Sequence, residues 1–172
     1  MGNNRLKLIP LDIETAELVR VWRNSTSINQ FMDFQEQITF EQQITWFNSL
    51  KCSGNFYFSI NFDHQPIGMT HLDRICKKSN SAYAGLFIGD NSYQGTGTSV
   101  YASFLLLDFG FNKLKLDCIY AKVKRTNTVA INYNKSIGFK FDKIESTDFD
   151  RYVISKEVYE GIRLKILPLL SL

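Results

Sequence analysis

The chain has 172 residues, of which 44% are hydrophobic and 22% charged, and a formal net charge of +3. That length and balance suit a single compact domain over residues 1–172 and exclude a low-complexity or disordered chain. Scattered lysines and a mild charge exclude a nucleic-acid surface, while the lack of a long apolar run and of an apolar core in "MGNNRLKLIP" excludes a membrane span and a signal peptide, so the expected location is cytoplasmic.

In chain order, "RLKLIPL" reads as a first strand, and Glu14 or Thr15 opens a helix carrying Leu18, Val19 and Trp22 on one face. "WRNSTSINQFM" is a polar loop with a short helical turn. Thr39 is placed to cap a second helix whose core stripe is Phe40, Ile44, Phe47 and Leu50. "NFYFSINF" and "PIGMTHLDRI" form a hairpin around Asp63-His64-Gln65, and "SAYAGLFIG" adds a third strand. After a glycine-containing loop, "SVYASFLLLDFGFNKL" is spaced as a buried helix and "LDCIYAKV" as a strand. "NTVAINYNKSIGF" is a helix stopped by Gly138, and "FKFDKI" with "RYVISK" closes a second hairpin. Cys52, Cys76 and Cys118, irregularly spaced and accompanied only by His64 and His71, make no metal site; they read as reduced thiols, at least one of them buried.

The loop Gln94-Gly95-Thr96-Gly97-Thr98-Ser99 lies between a strand and a helix, so several backbone N–H groups converge at the positive end of the helix dipole. Glycine at 95 and 97 lets a diphosphate approach the backbone. A Walker loop needs a Lys-Ser/Thr pair and a dinucleotide fingerprint needs an earlier strand-helix unit; neither is present. The loop alone is also compatible with an ordinary strand-to-helix turn. A second motif follows about thirty residues on, with Asn127 after a strand, Ala130 inside a helix and Gly138-Phe139 at its end. The pair, Q-x-x-G-x-G then N-x-x-A and G-F, resembles the GNAT superfamily of N-acetyltransferases over nearly the whole chain.

That resemblance implies an α/β fold (α+β by some schemes) with a mixed, mostly antiparallel sheet, a splayed central parallel strand pair and flanking helices. It implies an acyltransferase with acetyl-CoA as co-substrate, no metal, and a small-molecule amine as acceptor. Gln94, Gly95, Thr96, Gly97, Thr98 and Ser99 would bind the pyrophosphate, with Ser99 where glycine or alanine is usual. Free backbone near Phe87, Ile88 and Gly89 would pair with the pantetheine arm as an added strand, and Asn127 would hydrogen-bond the same arm. Lys122, Lys124 and Arg125 either reach the nucleotide phosphate or form a solvated basic face.

Acetyl transfer needs an uncharged amine and a proton for the departing thiolate. The family's usual tyrosine, four residues before the Gly-Phe pair, falls on Asn134 here, with Tyr133 about 100° around the helix. Tyr133 is either the acid or a packed aromatic; Asn134 can donate a hydrogen bond to sulfur but no proton. Where many relatives carry a glutamate base this chain has Tyr83, a candidate relay, and His71 is the one histidine in a strand, either a base oriented by Asp73 or a hydrogen-bonded wall residue.

The segment from Val21 to Leu50 is similar to the N-acetyltransferases that act on a UDP-linked amino sugar in pseudaminic-acid biosynthesis, through Trp22-Arg23-Asn24 and the Ile-x-x-Phe-Met run ending at Met32. By that likeness Arg23 and Met32 would meet the nucleotide, Gln43 stands for a histidine, and Phe87 stands for a tyrosine at the sugar ring. Arg23 suits a diphosphate or uracil, and Phe31 and Met32 offer apolar surface; Arg23 on the surface beside a core Trp22 is the plainer alternative. A polyamine or protein N-terminus as acceptor, and a non-catalytic acyl-CoA-binding module, also stay open. The expected assembly is a monomer or homodimer.

Overall fold

The computed structural model describes residues 5–166. The described residues build a seven-stranded sheet in the order β1-β2-β3-β4-β5-β7-β6. Its strands are β1 (Leu6–Pro10), β2 (Phe56–Phe62), β3 (Gln65–Cys76), β4 (Ser81–Ile88), β5 (Cys118–Lys124), β6 (Lys140–Ile144) and β7 (Phe149–Ser155). The helices are α1 (Ile13–Asn24), α2 (Thr26–Asn29), α3 (Phe40–Ser53), α4 (Thr98–Asp108), α5 (Thr128–Ser136) and α6 (Lys156–Ile166). Every neighbouring pair is antiparallel except β4 and β5. This is the mixed, mostly antiparallel sheet that the resemblance implies.

The strands alternate, with one face packed on α4. Leu72, Ala82, Ile119, Val123, Tyr152 and Ile154 meet Phe104, Leu107 and Phe111 there, and Ile60, Phe62, Ile67 and Ile88 meet Tyr101 and Ala102. α4 is apolar all round because both strands and α6 cover it. Its axis continues through a π-type turn, Phe109–Lys113, so the expected helix over "SVYASFLLLDFGFNKL" is present in two geometries. α6, which the sequence reading did not anticipate, brings the fully buried Tyr159 over α4, with its hydroxyl 3.0 Å from Asp108 Oδ1.

Three local expectations need correction. α1 is capped by Asp12, whose carboxylate accepts the Thr15 N–H at 2.8 Å, rather than by Glu14 or Thr15. Phe40 is 53% exposed at the first position of α3, while the buried residue of that helix is Gln43. None of the cysteines is buried: Cys52 and Cys76 are exposed and Cys118 is intermediate.

Candidate active site

The parallel pairing of β4 and β5 is short. It runs from Ser81 opposite Cys118 to Ala84 opposite Ala121 and stops. Beyond that, β4 continues on β3 alone through Ile88, and β5 on β7 alone through Lys124. The central strands therefore splay, and the β4 edge from Gly85 to Ile88 faces a gap with unpaired backbone groups, the arrangement that accepts an extended ligand as an added strand. Phe87 and Ile88 lie on this edge. Gly89 follows them, its N–H bonded to Ile67 O at 2.8 Å and the Trp22 indole resting where a Cβ would be.

At the end of β4 the glycine loop takes shape from two threonines. The hydroxyls of Thr96 and Thr98 both donate to Tyr93 O, at 2.7 and 3.1 Å. Gly95 (φ +76°) and Gly97 (φ +83°) occupy the left-handed region, and Gly97 caps α4 without a side chain. The backbone N–H groups from Gly95 to Val100 donate to nothing among the described residues. A Cβ at Gly95 would meet no atom within 4 Å, so the loop is open in front of these donors. Gln94, Gly95 and Thr96 are exposed, Gly97 and Ser99 partly so, and Thr98 is buried. Donors converging at the positive end of an eleven-residue helix fit a diphosphate.

Across the gap, Asn127 caps α5, accepting the Ala130 N–H at 2.9 Å, and its amide nitrogen has no partner among the described residues. Tyr133, nearly two turns further on, points its hydroxyl to Ser99 O (2.8 Å) and Ser103 Oγ (2.7 Å) in α4. Burial pushes this phenol up to about 12, the two hydrogen bonds opposing the shift only in part. Asn134 donates its amide to Ala130 O at 2.8 Å.

The sheet face opposite α4 carries Tyr57, His71, Asp73, Tyr83 and Phe87 under α1 to α3. His71 stacks on Tyr57, with ring centroids 5.0 Å apart, and lies directly over Gly85, where a Cβ would be 2.3 Å from its Cε1. Its Nε2 is 3.9 Å from Asp73 Oδ2, and its Nδ1 is buried with no hydrogen-bond partner among the described residues. Burial lowers the imidazole pKa below its ordinary value; Asp73 pulls it back up, and Arg74 and Arg23 push it down. Arg23 is close enough to Tyr57 and His71 for their charges to interact, its Nε is buried without a hydrogen-bond partner among the described residues, and burial lowers its pKa.

Other expected site residues sit differently. Tyr83 lies before the gap opens, its hydroxyl donating to Glu145 Oε1 (3.0 Å) and accepting from Arg151 Nη1 (3.2 Å), with the Arg74 guanidinium 3.6 Å above its ring. Gln43, expected at the acceptor, is 3% exposed and donates to Ala16 O at 2.6 Å, which fixes α3 to α1. Phe31 is half-buried, and Met32 lines a cleft of about 460 Å³ with Asp33, Lys124, Thr147 and Phe149. Met32 and Arg23 therefore stand on the β5–β7 and β2–β3 sides of the gap. The basic run on β5 holds loops: Lys122 pairs with Asp33, Lys124 donates to Gln30 O at 2.9 Å, and Arg125 Nε bonds Asp150 at 2.8 Å. Gly85 and the Glu145–Arg151 pair were missed by the sequence reading; an isolated glycine inside a strand is the available signal for a close approach of this kind.

The sequence is 26% identical over 172 residues to the uncharacterized N-acetyltransferase p20 of Bacillus licheniformis, covering 91% of this chain and 96% of that one. It is 30% identical over 126 residues to acetyltransferase PseH of Campylobacter jejuni, covering 70% and 74%. Among solved structures it resembles spermidine N-acetyltransferase from Vibrio cholerae in complex with CoA and spermine, with a TM-score of 0.82, 21% identity and coverage of 92% of this chain and 99% of that one. It also resembles apo FdhC, a nucleotide-linked sugar GNAT, with a TM-score of 0.83, 19% identity and coverage of 98% and 96%. The profile of the acetyltransferase (GNAT) domain matches residues 5–140, so this chain, with its split central strands and glycine-capped α4, belongs to the GNAT family of acetyltransferases.

Proposed function

We propose that this acetyltransferase carries the acetyl group of acetyl-CoA to the primary amine of a nucleotide-linked amino sugar. The loop from Gln94 to Ser99 takes the pyrophosphate of CoA, the free β4 edge at Phe87 and Ile88 and the neighbouring Gly89 take the pantetheine arm, and the spare amide of Asn127 meets that arm from the cap of α5. The acceptor approaches from the α1–α3 face, where Arg23, Phe31, Met32 and Phe87 are placed.

Arg23 carries this reading. Arg23 is half-buried, its Nε is buried, and its guanidinium makes no hydrogen bond or ion pair among the described residues, an arrangement that a diphosphate or a uracil carbonyl would complete. The same cation repels a polyamine. Three carboxylates near the gap have basic partners: Asp33 has Lys122, Asp73 has Arg74, and Glu145 shares Arg151 with Asp142. Spermidine N-acetyltransferase is nevertheless a structural relative, so spermidine is the competing acceptor to test. Thiol release from acetyl-CoA, measured across UDP-linked amino sugars, spermidine and peptides, is expected to show turnover with an amino-sugar nucleotide. Preference for spermidine or a peptide rejects the acceptor assignment, and binding of acetyl-CoA without turnover of any amine makes the chain a binding module.

A further inference from the structure

The head of the β4–β5 gap is the point where the two strands first part, and its first unpaired β4 residue is Gly85. His71 is the register partner of Gly85 on β3. Its ring does not project away from the sheet; it lies across β4 in the space that any side chain at 85 would fill. A histidine is thus seated at the place where a ligand lying along the β4 edge meets a ligand arriving from the α1–α3 face. The ring is 23% exposed, so the site is sheltered but open to that face.

We propose that His71 is the base that takes the proton from the attacking amine, with Gly85 making room for its ring and Asp73 serving as its counter-ion. This rests on the acetyl-transfer reading of the gap. Four groups face the imidazole: Tyr57 from β2, Asp73 and Arg74 from β3, and Arg23 from α1. Nδ1 is sealed in with no partner among the described residues, so the nitrogen open to the α1–α3 face is Nε2, and Asp73 lies 3.9 Å from it, placed to stabilise a proton taken up there. Tyr57, pushed up to about 12 by burial and by Asp73, stays neutral and supplies a flat wall. The depressed imidazole pKa keeps the ring neutral at pH 7, as a base must be. In the reaction the amine nitrogen forms a bond to the acetyl carbon and the carbon–sulfur bond breaks. The electron pair stays on sulfur, and the amine proton passes to Nε2 directly or through one water. Asp73 stabilises the imidazolium, which returns its proton to solvent, and the thiolate is protonated from water.

The test uses the full chain, acetyl-CoA, and both a UDP-linked amino sugar and spermidine as amines. His71→Gln is expected to lower kcat by about a hundredfold or more, remove the acidic limb of the pH–rate profile, and leave CoA affinity by calorimetry unchanged. Because the chain has only His64 and His71, a His64→Gln background isolates the His71 signal by NMR. Its titration is expected to coincide with the kinetic limb. Asp73→Asn moves both to lower pH and Arg74→Ala moves both to higher pH, shifts that a purely structural histidine does not impose on a rate. These two variants keep the ring in place and decide the matter should His71→Gln fail to fold. Turnover by His71→Gln with an unchanged profile overturns the base alone. A kinetic limb that ignores the NMR titration does the same. Turnover of spermidine but not of the sugar overturns the acceptor reading alone, and turnover of neither amine overturns both.

Discussion

Tyr133 and Asn134 show how one residue of offset changes a role. The Tyr133 hydroxyl has one proton, and the Ser99 carbonyl, 2.8 Å away, already takes it, while Ser103 donates in return. A phenol pushed up to about 12 is also a weaker acid than an ordinary thiol near 8.5, so giving its proton to a thiolate runs uphill. The contacts tie α5 to the first two turns of α4, which fits a positioning role. Tyr133→Phe is therefore expected to cost about 1–2 kcal/mol of stability from lost buried hydrogen bonds and to leave kcat nearly unchanged, as denaturant unfolding and steady-state rates on a verified amine will show. A hundredfold loss of kcat would restore the general-acid role. At this scale the sequence was only partly legible. The two residues could be named, but which one faces the sulfur side depends on helix phase. Gln43 was misassigned because a polar residue in an acceptor segment resembles a ligand contact until Ala16 is seen accepting its amide.

Strands and helices were far easier to read than the way they meet. Alternation placed β2 to β5 and the glycine loop placed α4, because those signals are local. α6 was overlooked because "KEVYEGIRLKI" has a glycine inside a short amphipathic run, and its single fully buried ring, Tyr159, finds its cover on α4, far away in sequence. The splay was expected only through the family resemblance. No local pattern tells Ala84, which pairs with β5, from Gly85, which does not. The glycine loop gives a prediction that separates backbone strain from ligand approach. Gly95→Ala puts a Cβ into open space at φ +76°, a cost of about 1–2 kcal/mol to the fold. If a diphosphate lies against that backbone, CoA affinity falls by more than about tenfold as well. Gly97→Val, at φ +83° and at the helix cap, is expected to abolish CoA binding in calorimetry while circular dichroism stays native. Unchanged CoA affinity in both variants would remove the loop from the cofactor site.

For the whole molecule, the proposed function assigns CoA and the acceptor to different sides of the gap, and ligand-linked stability can read each side separately. A ligand that binds only the folded chain stabilises it by about 2.7 kcal/mol at one hundred times its Kd. A chain of this size shifts its Tm by about 2–4 °C for each kcal/mol, so saturating CoA is expected to raise Tm by roughly 5–10 °C. UDP alone should also raise Tm, by an amount that is smaller but reproducible, because Arg23 has no partner among the described residues and gains one on binding. Spermidine, a polycation facing that guanidinium, should not. Arg23→Met keeps much of the packing and removes the charge. It is expected to cancel the UDP shift and preserve the CoA shift, since α1 and the phosphate loop lie on different faces of the sheet. Loss of both shifts would mean that Arg23 supports the fold rather than the acceptor. A spermidine shift exceeding that of UDP in the parent protein, retained in Arg23→Met, would transfer the acceptor assignment to the polyamines.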